Sequence, residues 1–198
     1  RSIADLRFSG KFEEATGALA IQYERHQPPL YYVLASPVFS LASRFLSFVS
    51  VFVVVRLWSV LVASLIVPAA YLLARQVFAE EVWTRTILLL VVAFPGLYSG
   101  TVRVSNDALA APVACGMLAC LIGVLETKRS VFLLGLSALL AVGLWTKAFF
   151  IPLSVGTLAV LCINRRFRET LYVLPGVGVG MIWYARNWMW KMRTRTAN

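Results

Sequence analysis

A short stretch near the start of the chain gathers residues that could do chemistry, Glu24-Arg25-His26-Gln27-Pro28-Pro29. His26 is the one histidine in the sequence, so imidazole chemistry has a single candidate. Gln27 and Pro28 each precede a proline, and a residue before proline is pushed toward extended geometry. Proline suits the first turn of a helix because its φ is fixed and it has no amide donor. The spacing therefore predicts an extended polar segment that ends where an apolar helix begins at Leu30.

Two further ionisable residues stand at the ends of apolar runs. Asp107 opens one run after the polar hinge 103–106, and Lys147 separates two short runs. An ionisable group at the edge of a membrane span is costly without a partner, and such groups often mark functional sites. Cations could grip a phosphate, and a nearby carboxylate could act as a base, hold a metal or orient a sugar hydroxyl. The alternative is that Lys147 and Arg103 merely reach the interface and that Asn106 or Asp107 caps a helix.

The composition indicates the membrane in which these residues must be positioned. The chain has 198 residues, of which 60% are hydrophobic and 14% charged, and its mean hydropathy is +0.77. A soluble domain is closer to half apolar and a quarter charged, so a bilayer must cover the excess apolar surface. The net charge of +10 comes mostly from cations at the ends of apolar runs. This pattern indicates topology signals and lipid contacts, with no nucleic-acid partner.

The apolar runs predict an all-α, polytopic transmembrane helix bundle of about six spans. Residues 30–43, interrupted by Pro37, are too short to cross ~30 Å of hydrocarbon and predict an outer juxtamembrane helix. Tyr31 and Tyr32 at its start suit the membrane interface. The predicted spans cover residues 53–74, 83–99, 107–125, 131–145, 149–163 and 171–190.

Three parts follow along the chain. Residues 1–52 are predicted to form an outer-face loop with juxtamembrane helices, residues 53–190 the transmembrane bundle, and residues 191–198 a truncated basic tail. The chain begins at Arg1 without a signal-peptide pattern and ends in this unpatterned tail. We therefore expect an N-terminal membrane fragment of a longer protein.

The distribution of cations predicts which ends of the spans share a side. If the loop after the first span faces the cytoplasm, most loop cations lie inside, and the intervening loops hold only Arg103 and Lys147. A single helix through residues 131–163 would break this alternation, so two spans with a turn near Lys147 are preferred. Alternation then brings polar residues from separate segments to the outer face, among them His26, Gln27, Arg56, Arg103, Asn106, Asp107, Lys147 and Arg186.

The motifs that contain these residues occur in an order that resembles a known family. They are His26–Tyr32, Arg56–Val60 leading to Tyr71–Arg75, Ser105–Ala110, Gly143–Lys147 and Trp183–Trp188. The chain resembles bacterial polytopic glycosyltransferases of the GT-C class. Within that class it is most similar to the protein O-mannosyltransferases and aminoarabinose transferases of glycosyltransferase family 39. The resemblance implies a GT-C-like fold.

The resemblance also implies a reaction. Such enzymes transfer a sugar from a polyprenyl-phosphate donor to an acceptor on the periplasmic or extracellular face, here of the bacterial cytoplasmic (inner) membrane. The main catalytic acid would lie upstream of Arg1, so the chain alone is expected to be inactive. Asp107 matches a carboxylate of the same cavity, and Lys147 matches a lysine that could contact phosphate. The implied donor-binding residues are His26, Gln27, Arg103, Asn106, Lys147 and Arg186, with His26 preferred to Gln27 near the phosphate and also the candidate metal ligand if a divalent metal takes part.

A polytopic transporter or lipid flippase without glycosyl transfer is the alternative function. Prolines within the spans, such as Pro68, Pro112 and Pro175, could provide the broken helices that transporters use. Transporter sites lie near the membrane midplane, whereas the polar residues here are predicted at one face. A non-catalytic membrane scaffold is a third interpretation.

Overall fold

The computed structural model describes residues 27–97, 103–127 and 129–196. Within these ranges the chain is all-helical and contains no strand, which confirms the predicted fold class. The helices are α1 (Leu30–Ala42), α2 (Phe48–Ser64), α3 (Ile66–Val77), α4 (Glu81–Ala93), α5 (Asp107–Thr127), α6 (Ser130–Thr146), α7 (Phe150–Ile163) and α8 (Phe167–Thr196).

The outer surface of the helices is strongly apolar. Large hydrophobic side chains are exposed along α2, α7 and α8, for example Leu57, Val155 and Leu171. Such a surface needs lipid to cover it. By length and composition Phe48–Val77 and Asp107–Thr127 can cross a membrane, and Leu30–Ala42, Ser130–Thr146 and Phe150–Ile163 are shorter apolar helices. The protein is a helical integral membrane protein, while the number of spans and the three-part division stay predictions.

Prolines decide where several helices begin and end. α1 begins at Leu30, directly after Pro28-Pro29, as predicted. Only Leu65 separates α2 from α3, because Pro68 in the first turn of α3 has no N–H to donate back to the α2 end. α4 ends at Ala93, short of the predicted residue 99. The reason is that Phe94 precedes Pro95 and is extended, with φ −72° and ψ 111°.

The predicted turn near Lys147 is confirmed. α6 ends at Thr146, and Lys147 has an extended backbone with φ −157° and ψ 146°. Its N–H donates to the Gly143 carbonyl at 3.0 Å, and the Phe150 N–H donates to the Lys147 carbonyl at 3.1 Å. Residues 131–163 therefore form two helices, as the alternation of charge required.

The main core surrounds α6. Leu136, Leu140 and Leu144 are completely buried and belong to one cluster with Met117 of α5 and Val173 of α8. This burial explains why α6, although apolar on all sides, holds a fixed place between its neighbours.

α8 is held against α6 by close approach and by two hydrogen bonds. A Cβ on Gly176 would lie 2.0 Å from the Ser137 carbonyl oxygen, so only glycine fits there. Trp145 donates its indole N–H to the Val179 carbonyl at 2.9 Å. The Tyr184 hydroxyl donates to the Leu144 carbonyl at 3.0 Å. Small residues and side-chain hydrogen bonds are the usual means of joining helices in a membrane.

These contacts define the two ends of the bundle. The end that holds Gln27, Asp107 and Lys147 is called the site end. At the other end the Arg166 guanidinium donates to the Leu125 carbonyl at 2.7 Å and to the Glu169 carboxylate at 3.1 Å. This contact joins the last turn of α5 to the first turn of α8. This second end of the bundle carries several of the loop cations, including Arg129 and Arg166, and is called the basic end.

Candidate functional site

Asn106 fastens the Gln27-Pro28 segment to the start of α5. Its Nδ2 donates to the Pro28 carbonyl at 3.1 Å and to Gln27 Oε1 at 3.3 Å. The side chain is only 2% exposed, so both amide protons are committed to protein acceptors. The Oδ1 atom is buried and has no partner among the described residues. Asn106 therefore positions the proline segment, and its role in donor binding stays a prediction.

Tyr31 joins α1 to α2 in the same region. Its side chain is fully buried, and its hydroxyl contacts the Ser59 hydroxyl. Ser59 in turn donates to the Val55 carbonyl at 3.0 Å, so Tyr31 is the donor to Ser59. The ring packs between α2 and α5. The Tyr31 ring and hydroxyl therefore find their partners inside the bundle, and the interfacial position of Tyr31 stays a prediction.

Asp107 and Lys147 form an ion pair between α5 and the α6–α7 turn, through Oδ1 and Nζ. The Lys147 and Asp107 side chains are 40% and 48% exposed. A pair this accessible to water contributes only about 0–1 kcal/mol to stability. The Asp107 N–H donates to Ser105 Oγ at 3.3 Å, which anchors the first residue of α5. The main effect of the pair is to hold the carboxylate and the ammonium next to each other, where both remain accessible to a ligand.

A pocket of about 380 Å³ opens directly beside Asp107. Most of its lining is apolar and small, which leaves room near the first turns of α5. A ligand that combined an apolar part with a polar head could place the head at the ion pair and the apolar part in this pocket. The lining residues are Ala63, Ile66, Gly96, Leu97, Asp107, Ala108, Ala110, Ala111, Pro112 and Phe149.

The two other predicted cations, Arg103 and Arg186, lie at the same end of the bundle. Arg186 follows Tyr184 on α8, so it lies near the end of α6, with its guanidinium 5.1 Å from the Trp183 ring centroid. Arg103 is exposed just before α5. Within the described ranges neither cation forms an ion pair or hydrogen bond with the Asp107–Lys147 pair.

His26 lies outside the described residues, so its predicted phosphate and metal roles stay predictions. Among the residues that are described, no group of three or more His, Cys, Asp and Glu side chains could hold a metal ion.

The sequence motifs meet in two groups. The Gln27–Tyr31 segment contacts Ser59 on α2 and Asn106 before α5, while Gly143–Lys147 contacts the Tyr184 region of α8. The Asp107–Lys147 pair joins the two groups. Sequence reasoning missed the apolar pocket. The signal that could have revealed it is the run of alanines after Asp107, which leaves space where larger side chains would fill it.

An ion pair beside an apolar pocket, at one end of a helical membrane protein, suits a protein that acts on lipid-linked substrates. The chain belongs to the dolichyl-phosphate-mannose-protein mannosyltransferase family, whose model matches residues 26–190. The membership supports the expected GT-C-like membrane glycosyltransferase, and the family implies a lipid-linked sugar donor. Comparison with curated proteins and with solved structures finds no match.

Proposed function

We propose that this chain is part of a family 39-type enzyme that transfers a sugar from a polyprenyl-phosphate donor to an acceptor on the periplasmic or extracellular face of a bacterial cytoplasmic membrane. The observation that carries the proposal is the Asp107–Lys147 pair at the mouth of the apolar pocket. The pair places a cation that can bind a phosphate in direct contact with a carboxylate that can bind a hydroxyl.

In the proposed reaction the bond between the sugar anomeric carbon and the phosphate oxygen breaks, and a bond to the acceptor oxygen forms. The phosphate leaves with the bonding electrons, and Lys147 stabilises its negative charge as a point charge. Asp107 accepts the proton of the acceptor hydroxyl as its oxygen attacks the anomeric carbon. His26, Gln27, Arg103 and Arg186 are proposed to contribute to donor binding from the same end of the bundle.

The pocket supports a lipid-linked donor in particular. A free sugar phosphate has no apolar part that could fill the cavity beside the ion pair, whereas the first prenyl units of a lipid donor would fill it. The small side chains Ala108 and Ala111 on α5 and Ala63 on α2 make the space available. A bulky residue at Ala111 would therefore be expected to raise the KM for the lipid donor.

The test measures sugar transfer from a radiolabelled polyprenyl-phosphate donor by the full-length enzyme in proteoliposomes. Asp107→Asn keeps the shape but cannot accept a proton, and we expect kcat to fall about a hundredfold or more. Lys147→Gln removes the cation that binds the phosphate and stabilises it as it leaves, and we expect kcat/KM for the donor to fall about tenfold or more. Both side chains are partly exposed, so the proteins should fold normally.

Glu126→Gln is the matched control, because Glu126 is an exposed carboxylate near the other end of the same helix. It should leave transfer unchanged. Normal transfer by both Asp107→Asn and Lys147→Gln would overturn the site assignment. Solute counterflow in the same liposomes without any sugar transfer would favour the transporter alternative.

A further inference from the structure

A second pocket, of about 350 Å³, lies between the end of α3 and the start of α4. α3 begins at Ile66, which lines the pocket beside Asp107, and Arg75 lies about 14 Å further along the helix axis. The second pocket therefore belongs to the basic end, away from the proposed reaction. Its lining residues are Tyr71, Arg75, Phe78, Ala79, Glu81 and Thr84.

The pocket presents one uncompensated cation. The Arg75 guanidinium lies 5.7 Å from the Tyr71 ring centroid, a cation–π contact that holds it at the pocket. Arg75 forms no ion pair with a carboxylate in the described part of the chain. Glu81 also lines the pocket, but its carboxylate accepts from Arg85 at 2.7 and 3.2 Å. The charge of Glu81 is thereby offset, which leaves Arg75 as the one unpaired charge among the lining residues; the neighbouring carboxylate of Glu80 precedes α4 and does not line the pocket.

The first turn of α4 also borders the pocket. Thr84 is almost fully buried, at 1% exposure, yet lines the pocket. The N-cap residue Glu80 makes no side-chain hydrogen bond to the first turn of α4. The Thr84 N–H donates to the Glu80 carbonyl at 3.4 Å, and the dipole at the start of α4 favours an anion nearby.

The pocket is bordered by apolar surface on the outside of the bundle. Leu72 and Val77 on α3, and Val82 and Trp83 on α4, are all exposed. An anion that carried acyl chains could lay them on this surface, whereas a free anion would gain nothing from it. Basic pockets between membrane helices bind anionic lipid headgroups in this way.

We propose that this pocket binds the phosphodiester headgroup of an anionic phospholipid, with Arg75 as its charged contact. The inference concerns a different surface from the proposed transfer site and does not depend on it. If Arg75 served only as a topology signal and a partner for the α3 dipole, no lipid selectivity would follow.

The test is native mass spectrometry of the full chain in detergent, titrated separately with dioleoyl phosphatidylglycerol and dioleoyl phosphatidylcholine. We expect tighter retention of phosphatidylglycerol, weakened about fivefold by Arg75→Gln. Arg75→Lys should keep most of the binding because it keeps the charge. Arg129→Gln is the matched control, since Arg129 is an exposed cation at the same end but outside the pocket. It should change binding less than about twofold.

Equal losses in Arg75→Gln and Arg129→Gln would overturn the proposal, because they would show attraction by net charge alone. Equal binding of the two lipids by the unmodified chain would do the same. Inorganic phosphate is added in a separate arm, and complete displacement of the lipid by phosphate would show that the pocket takes a free anion. The thermal unfolding midpoint of Arg75→Gln, measured without lipid, should match that of the unmodified chain, since Arg75 is exposed.

Discussion

Asn106 is fixed in place by its buried hydrogen bonds. Its Nδ2 faces two acceptors, the Pro28 carbonyl and Gln27 Oε1, in a buried setting. Asn106→Ala should lower the free energy of unfolding by about 1–3 kcal/mol, because the two acceptors lose their donor. Asn106→Asp is closer in shape but should be at least as destabilising, because it places a carboxylate against those acceptors. Thermal unfolding in detergent measures both.

Asn164→Asp provides the comparison. Asn164 also donates through Nδ2, to the Val160 carbonyl at 2.8 Å, but it is exposed. Water can solvate the new carboxylate there, so we expect less than about 1 kcal/mol of change. If Asn106→Asp were as mild as Asn164→Asp, the positioning role of Asn106 would be wrong.

Arg165 has an unusual backbone, with φ 57°. It closes a Schellman motif at the end of α7, in which the Arg165 N–H donates to the Cys162 carbonyl at 2.9 Å and the Arg166 N–H to the Leu161 carbonyl at 2.8 Å. Because glycine adopts this conformation without steric cost, Arg165→Gly should raise stability by about 1 kcal/mol.

Arg168→Gly removes the same charge, but Arg168 is exposed in the first turn of α8, where glycine should lower stability by about 0.5–1 kcal/mol. Chemical denaturation of both variants should therefore give shifts of opposite sign. Shifts of the same sign would show that charge, and not backbone conformation, determines the effect.

At the residue level the sequence predicted well where a residue type carries its own signal. Asp107 and Lys147 stood out because each lies at the end of an apolar run, where an ionisable group is costly without a partner, and the structure brings them together. The sequence could not predict the hydrogen bonds of the Asn106 amide or the burial of Tyr31. Both depend on partners far away in the chain, such as Pro28 for Asn106, and no local pattern encodes such pairs.

Among the helices, the contact between α6 and α8 depends on glycine. A Cβ at Gly176 would overlap the Ser137 backbone, whereas a Cβ at Gly178 would meet no atom within 4 Å. Gly176→Ala should therefore lower the free energy of unfolding by about 1–3 kcal/mol through forced separation of the helices. Gly178→Ala should be neutral or slightly stabilising, because alanine has the higher helix propensity. Equal effects of the two variants in thermal unfolding would contradict the observed packing.

The helix boundaries were predicted closely where the sequence marks them with a charge or a proline. The start of α1 at Leu30, the start of α5 at Asp107 and the turn at Lys147 all agree with prediction. Residues 53–74 were predicted as one span although Pro68 was noted as a possible break, because length and apolarity do not show at which residue a proline interrupts such a run. Apolarity on all sides shows that a helix is buried or in lipid but does not show where it ends.

For the whole molecule, the charge bias predicts that the site end faces outward. In a cysteine-free background, Arg103→Cys and Ala148→Cys should react with a membrane-impermeant thiol reagent on intact cells, since both positions are exposed. Arg129→Cys, at the basic end, should react only after the cells are permeabilised. Labelling of the Arg103 and Ala148 positions on opposite sides of the membrane would exclude a common site.

Lys147 pairs with Asp107 and is also proposed to bind the donor phosphate. This double role has a consequence for the order in which the two substrates bind. One ammonium cannot neutralise two anions fully, so an arriving phosphate competes with Asp107 for Lys147 and loosens the carboxylate. We therefore expect compulsory-order kinetics, in which the lipid-borne sugar enters first and the hydroxyl substrate is engaged second. Under this scheme the hydroxyl substrate, added alone, finds its carboxylate still bound to the lysine.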